Sequence, residues 1–416
     1  MTSVPLKRTI FNRAALEMLY QDLHQHPELS FEEHRTSGIV AARLHEIGAE
    51  VTKHIAGTGV AGVLRNGPGP VVMLRADMDA LPVQEETGLP YASVARAQGV
   101  DGHEVPVMHA CGHDMHMACL LGAIDRLWAT RSEWTGTLVA LFQPAEESGG
   151  GAQAMVDDGL YARIPRPDIV LGQHVYPFAS GSIGAHAGAA MASVDSLRVR
   201  LFGRGGHGSE PETTIDPVFM AAATVMRLQG VVSREVGAQE AAVVSVGSMH
   251  AGSESNIVAD EAFLGLSIRS FTEEVRSRVL AAVKRIVLAE AAASGASIAP
   301  EITVDGSYPV TVNEPAATER TMRAFGKAFG NAQVFDPGAI AASEDIGNLS
   351  TAARAPLVYW MLGGCDADEH AAAGKTGTIR RDIPSNHSPR FAPVMQPTLD
   401  TGVEALVVAA REWLKG

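Results

Sequence analysis

The stretch Met108-His-Ala-Cys-Gly-His-Asp-Met-His116 sets a thiol and an imidazole two residues apart, Cys111 and His113, at the mouth of an expected helix. Further on, Gln143-Pro-Ala-Glu-Glu147 sets adjacent carboxylates, Glu146 and Glu147, directly after the apolar run Thr137-Leu-Val-Ala-Leu-Phe142. Thiolate, imidazole and carboxylate are the donors that borderline divalent metals accept. A second carboxylate beside a ligating one is what metal-assisted hydrolysis needs as a general base. Either stretch alone reads equally well as a small-residue helix start or an acidic loop. Together they point to a metal-dependent hydrolytic centre.

Such a centre needs rigid elements to hold it. Residues 11–24 carry apolar positions at helical spacing and stop before Pro27, and a second helix is expected from about Glu32 to Gly48. His24 and His26, at the end of the first helix, read as cap or surface residues rather than ligands. Strands are expected at 60–64 and 71–74, and the second runs into Arg75-Ala-Asp-Met-Asp-Ala-Leu-Pro82. Asp77 and Asp79 therefore sit at a strand's end, placed either to touch a metal or to orient what does. Residues 113–128 form an expected buried helix in which His116 packs or supports the donors. A buried strand over 168–172 ends in Gln173-His174, which makes His174 a further candidate donor. His387, in the loop Asn386-His-Ser-Pro-Arg-Phe391, joins the set only because the first half of the chain already offers the others.

From about Ala190 the texture changes. A half-buried strand over 194–203, the Gly-rich loop Gly203-Arg-Gly-Gly-His-Gly-Ser209 with His207, and then helix, strand, strand and helix to Ala293 form a β-α-β-β-α module. The Gly-rich loop lacks the Lys of a phosphate-binding loop. Composition narrows the partners. Apolar residues at 46% and charged ones at 19% describe an ordinary globular chain, and 33 Lys plus Arg against 47 Asp plus Glu, a formal charge of −14, disfavours nucleic acid and anionic membranes. No run of uncharged apolar residues is long enough to span a bilayer, no secretory signal is visible in the first 13 residues, and three cysteines form no even disulfide framework, so a reduced cytoplasmic setting is expected.

In order along the chain, these motifs together with Leu23-His-Gln-His-Pro-Glu-Leu-Ser-Phe31, Tyr308-Pro-Val-Thr-Val-Asn313 and Ser343-Glu-Asp345 resemble the co-catalytic metallopeptidase family of aminoacylases and carboxypeptidases. The branch they resemble most comprises hippurate hydrolases, N-acyl-L-amino acid amidohydrolases and indole-acetyl-amino acid hydrolases. The resemblance implies that Cys111, His113, Glu147, His174 and His387 hold two divalent metal ions, Zn, Mn, Ni or Co. Glu146 would be the general base. His207 would stabilise the oxyanion, usually across a dimer. Asn256 and Arg269 would meet the substrate's carboxylate. In most branches a His stands two residues before the Asp that here is Asp79; this chain has Asp77 there, and the Cys111/His113 pair is the alternative supply of donors.

The same resemblance implies an α/β fold. A large catalytic domain, residues 1–188 and 303–416, would hold a central mixed sheet between helices, and a smaller inserted α+β lid and dimerisation domain would span 189–302. The expected reaction is hydrolysis of the amide of an N-acyl amino acid by a homodimer or higher homo-oligomer. A dipeptidase or carboxypeptidase would need the same parts, and a non-catalytic metal protein would have no use for Glu146.

Overall fold

The computed structural model describes residues 12–99 and 101–415. Phe11, expected to open the first helix, lies outside the described residues. In chain order the strands of the two main sheets are β1 (Glu50–Ile55), β2 (Gly59–Asn66), β3 (Val71–Asp77), β4 (Gly136–Gln143), β5 (Ile169–Ala179) and β6 (Ile183–Gly184). They continue with β7 (Ser193–Phe202), β8 (Ala242–Ala251), β9 (Glu261–Ser270), β10 (Glu301–Tyr308), β11 (Val334–Phe335) and β12 (Leu357–Cys365). The chain divides into two compact units, the larger running to Ala190 and returning with Val312–Gly338 and Asp345–Gly416, the smaller comprising Met191–Thr311 and Ala339–Glu344.

The larger unit holds an eight-stranded mixed sheet in the order β1-β2-β4-β3-β5-β12-β6-β11. Strands β4, β3, β5 and β12 run parallel, and β4 is buried along its whole length, as expected of a strand covered on both faces. Because β3 and β4 are parallel, their carboxyl ends share one edge, where Asp77 pairs in register with Gln143. Everything that follows Asp77 and Gln143 is therefore delivered to the same place.

The helices form where apolar spacing and caps agree. Helix α1 (Arg13–Gln25) is capped by Asn12, whose side chain accepts the Ala15 N–H, and buries Leu16, Leu19, Tyr20 and Leu23. Helix α2 (His34–Ile47) ends at Gly48, with φ 104°. Helix α3 (His113–Ala129) is buried over nearly its whole length and packs on α1, α2, β3 and the closing helix α6 (Met395–Trp413). His24 was expected at the surface as a cap. It is fully buried, held by Asp114 and Glu85.

The smaller unit is a four-stranded antiparallel sheet, β8-β9-β7-β10, with helices α4 (Pro217–Glu235) and α5 (Glu273–Ala293). Strand β9 alternates, burying Ala262, Leu264, Leu266 and Ile268 in a core shared with Met220, Leu228, Val279 and Val283. Strand β10 pairs along β7, so residues up to Thr311 fall to this unit rather than to the returning segment from 303. No helix among the described residues is long and apolar enough to cross a membrane.

Candidate metal centre

Gly112 is the pivot between the first two donors. It caps α3 with φ 82°, a conformation only glycine takes freely, and a Cβ there would meet Val175 Cγ1 at 2.3 Å. This left-handed step turns Cys111 and His113 toward one another's neighbours. One ligand atom from each of Cys111, His113 and Glu147 lies within 4.8 Å of the others, and a second such group combines Asp77, His113, His116 and His174.

Hydrogen bonding fixes which ring nitrogens remain available. His174 Nδ1 donates to the Val175 carbonyl at 2.8 Å, which leaves Nε2 with its lone pair, 3.5 Å from Cys111 Sγ. His113 Nδ1 lies 3.3 Å from Asp79 Oδ1, and its Nε2 lies 3.8 Å from Glu147 Oε1. A ligating histidine backed by a carboxylate or a carbonyl is the usual arrangement at metals. His116 is different. Its Nε2 accepts the Val175 N–H at 2.8 Å, so its proton is on Nδ1, which donates to Asp77 Oδ1 at 2.5 Å. Both nitrogens are committed to the protein, and His116 supports Asp77 rather than offering a donor.

His174 was expected at a strand's carboxyl end. Strand β5 continues to Ala179, because β12 keeps pairing alongside it with Met361 opposite His174. His387, with φ 70°, brings Nε2 to 3.2 Å from Glu147 Oε1. Its backbone N–H donates to the Ala110 carbonyl at 2.8 Å, and the preceding Asn386 Nδ2 donates to the Val175 carbonyl at 3.1 Å. The chain's two segments in this unit thus close around Cys111 from opposite ends of the sequence. Asn386 was not singled out from the sequence; polar and adjacent to a candidate donor, it was the signal available.

The two aspartates orient rather than remain free. Asp79 Oδ2 accepts the Ser30 hydroxyl at 2.7 Å and the Glu147 N–H at 3.0 Å. Asp77 Oδ2 accepts from Arg75 Nη1 at 2.7 Å, while Arg75 Nε donates to Gln143 Oε1 at 2.9 Å and Gln143 Nε2 to Asp345 Oδ1 at 2.6 Å. This fully buried network ties the ends of β3 and β4 together. Glu146 is buried beside it, 5% exposed.

The larger unit's donor set fits a divalent cation. Both nitrogens of His113 and Glu147 Oε1 are buried without a hydrogen-bond partner among the described residues, although carboxylate and imidazole stand within 4 Å of each other. Buried polar atoms without partners are costly unless something binds them. The field agrees. Burial opposes a charge on His113, yet Asp77, Asp79 and Glu147 outweigh it and raise its pKa to about 10. Burial, then Glu147 and Glu146, pushes the Cys111 thiol well up, while burial and His116 push His174 well down. A pocket that holds a proton this tightly, beside a neutral imidazole, attracts positive charge in general.

In the smaller unit a short ladder pairs Gly206 with Val258 and His207 with Ile257, and Gly208 N–H donates to the Asn256 carbonyl at 2.8 Å. It brings His207 and Asn256 side by side, both exposed. His207 Nδ1 accepts the Ser209 N–H at 3.1 Å, so the ring presents Nε2–H outward as a donor. Arg269 stands apart on β9, with Nη1 donating to the Ala341 carbonyl at 2.6 Å.

Known proteins align with this reading. Residues 73–379 match the model of peptidase family M20/M25/M40. A hippurate hydrolase of Campylobacter jejuni is 40% identical over 334 residues, covering 80% of this chain and 84% of that one. A protein named thermostable carboxypeptidase 1, of Saccharolobus solfataricus, is 35% identical over 363 residues, covering 84% and 87%. Among solved structures, the Bacillus subtilis YXEP protein, described as a dinuclear metal-binding peptidase, superposes with a TM-score of 0.74 at 27% identity over 96% of this chain and 98% of that one. With three quarters of its length matched, and with relatives that share its span, the chain belongs to peptidase family M20/M25/M40.

Proposed function

We propose that this chain hydrolyses the amide bond of N-acyl amino acids, giving a carboxylic acid and a free amino acid. The observation that carries the reading is the buried, unpartnered His113/Glu147 donor set with Glu146 next in sequence as a carboxylate beyond the ligand set. Cys111, His113, Glu147, His174 and His387 would hold two divalent ions, with zinc favoured by the thiolate and manganese, nickel or cobalt as the alternatives. When bound, such a cation supplies Lewis-acid chemistry and lowers the pKa of water from about 16 toward about 7.

The chain's own residues do the rest. Glu146 takes a proton from the attacking water and delivers it to the leaving nitrogen. Asp79 stands 3.3 Å from His113 Nδ1 and accepts the Glu147 backbone N–H, and Asp77 is held in turn by Arg75 and His116. His207 presents an N–H donor suited to the oxygen that gains negative charge. Asn256 and Arg269 suit a free carboxylate, the latter through a charge-assisted fork. A homodimer and a cytoplasmic setting belong to the same reading.

The test is amino-acid release from acetyl, benzoyl and indole-acetyl amino acids and from two dipeptides, using metal-stripped protein and protein reloaded with zinc, manganese, cobalt or nickel. Metal-dependent release from the acylated amino acids is expected. The 35% identical relative named as a carboxypeptidase favours the second reading, a peptidase, and release from the dipeptides alone would establish it. No release with any metal, despite stoichiometric binding, would refute both.

A further inference from the structure

Residues 27–33, between α1 and α2, contribute no candidate donor, yet this loop reaches the centre twice. Ser30 holds the Asp79 oxygen that also accepts the Glu147 N–H. Glu33 does more. Fully buried, it accepts the N–H of Ala145 at 2.8 Å and of Phe31 at 3.0 Å on Oε1, and the Thr58 hydroxyl at 2.5 Å on Oε2. Ala145 has φ 51°, a left-handed backbone that a residue with a Cβ adopts only when its surroundings enforce it. It directly precedes Glu146 and Glu147.

The other side of Ala145 is closed by its own loop. Its carbonyl accepts from Gly151 N at 3.1 Å and Ser148 Oγ at 3.0 Å, and a Cβ on Gly151 would fall 1.7 Å from the Pro144 carbonyl oxygen. That loop can fold on itself, and the N–H of Ala145 is tied to the body of the unit by Glu33, from a distant segment.

We propose that Glu33 is a positioning residue: its carboxylate grips the Ala145 N–H, keeps that residue left-handed, and thereby aims Glu146 and Glu147. This rests on the reading of those two side chains as base and ligand. What Glu33 brings is reach rather than charge. Burial raises its pKa to about 7 against the pull of the Thr58 hydrogen bond, so the protein does little to keep it ionised.

Two substitutions separate reach from charge. Glu33→Gln keeps a carbonyl oxygen at the same distance and presents its amide to the Thr58 hydroxyl, which can turn to accept. Glu33→Asp keeps the charge but withdraws the acceptor by about 1.5 Å, one carbon–carbon bond. The glutamine variant is expected to hold kcat within about threefold. The aspartate variant should lose roughly 10–100-fold in kcat with KM little changed, and roughly tenfold in Co(II) affinity read from the visible absorption of the bound ion. Thr58→Val, which weakens the same carboxyl's surroundings without touching Ala145, should lower the unfolding midpoint and leave kcat alone. Aspartate equal to or better than glutamine in kcat and in Co(II) affinity would overturn the proposal, as would a Thr58→Val loss of kcat matching that of Glu33→Asp. Should the wild type release nothing from acylated amino acids, the function above fails, and the cobalt comparison still decides Glu33: a change in the aspartate variant alone supports it, and the same change in both overturns it.

Discussion

Replacing His24 by leucine removes a cation from between two buried carboxylates while keeping a side chain of similar volume beside the rings of Tyr20 and Tyr91. His24 Nδ1 lies 2.6 Å from Asp114 and Nε2 3.1 Å from Glu85, and all three side chains are 1% exposed or less. Burial opposes the charge on His24, but the hydrogen bonds it donates to Asp114 and Glu85 win and raise its pKa to about 10, whereas both carboxylates are lowered. Breaking a buried pair from one side costs about 3–5 kcal/mol, because the partner stays buried and unpaired. The pH dependence follows from the signs. In the wild type His24 contributes fully below its unfolded pKa of about 6.5 and loses that contribution as pH rises toward 10, and the carboxylates contribute above about 4. In the variant one of the two carboxyls must take up a proton to fold, so the contribution of this site rises as pH falls, while in the wild type the contribution of His24 and its two carboxylates stays level. The difference should be about 3–5 kcal/mol at pH 7 and narrow by about 1.4 kcal/mol per unit between pH 6.5 and 4.5. All four tryptophans, Trp128, Trp134, Trp360 and Trp413, lie in the larger unit, so urea unfolding followed by their fluorescence, with chelator present, reports on that unit. A difference below about 1 kcal/mol at pH 7, or one that does not change with pH, would refute a charged His24 between two carboxylates.

Glu146→Gln should retain cation binding and lose about 10²–10⁴-fold in turnover, the share a general base supplies; near-normal turnover would remove it as the base. Cys111→Ser exchanges a thiolate for a hydroxyl, so zinc affinity measured by competition with a chelating dye should fall at least about tenfold while manganese affinity changes less. Gly112→Ala adds a Cβ that meets Val175 Cγ1 at 2.3 Å in a backbone of φ 82°, and calorimetry should find weakened cation binding together with a lower unfolding midpoint. His207→Ala, in the smaller unit, should lower kcat about 10²–10³-fold and leave cation affinity in the larger unit unchanged; a loss of affinity would place His207 in a different role.

What the sequence made legible is what short spacing encodes. Cys111 and His113 stand two residues apart and Glu146 and Glu147 are adjacent, so the two pairs read together suggest a chemistry that neither suggests alone. In the smaller unit local signals suffice: strand β9 alternates, and helix α5 has a Thr272 cap, 3.6-residue spacing and its end at Ala293. Where strand pairing decides, local signals stop short: β5 runs seven residues past Gly172 because β12 continues beside it, and β10 joins the smaller unit because β7 accepts it. The residues that position the donors were the least legible. Glu33 meets Ala145 across 112 positions and Asn386 meets Cys111 across 275, and no local pattern records either meeting. His24 misled for the same reason, since its partners Asp114 and Glu85 stand 90 and 61 positions away. Yet one class of positioning residue does leave a mark. Arg75 interrupts the apolar run of β3, and a charge in a strand that must be buried cannot fold without partners, so its position alone demanded acids nearby. Asp77, two residues on, was the one within sight; Asp345, 270 positions away, completes the demand. A buried charge in an apolar strand is therefore as informative about a site as the donors themselves, because it marks where the fold must spend polar contacts to hold them.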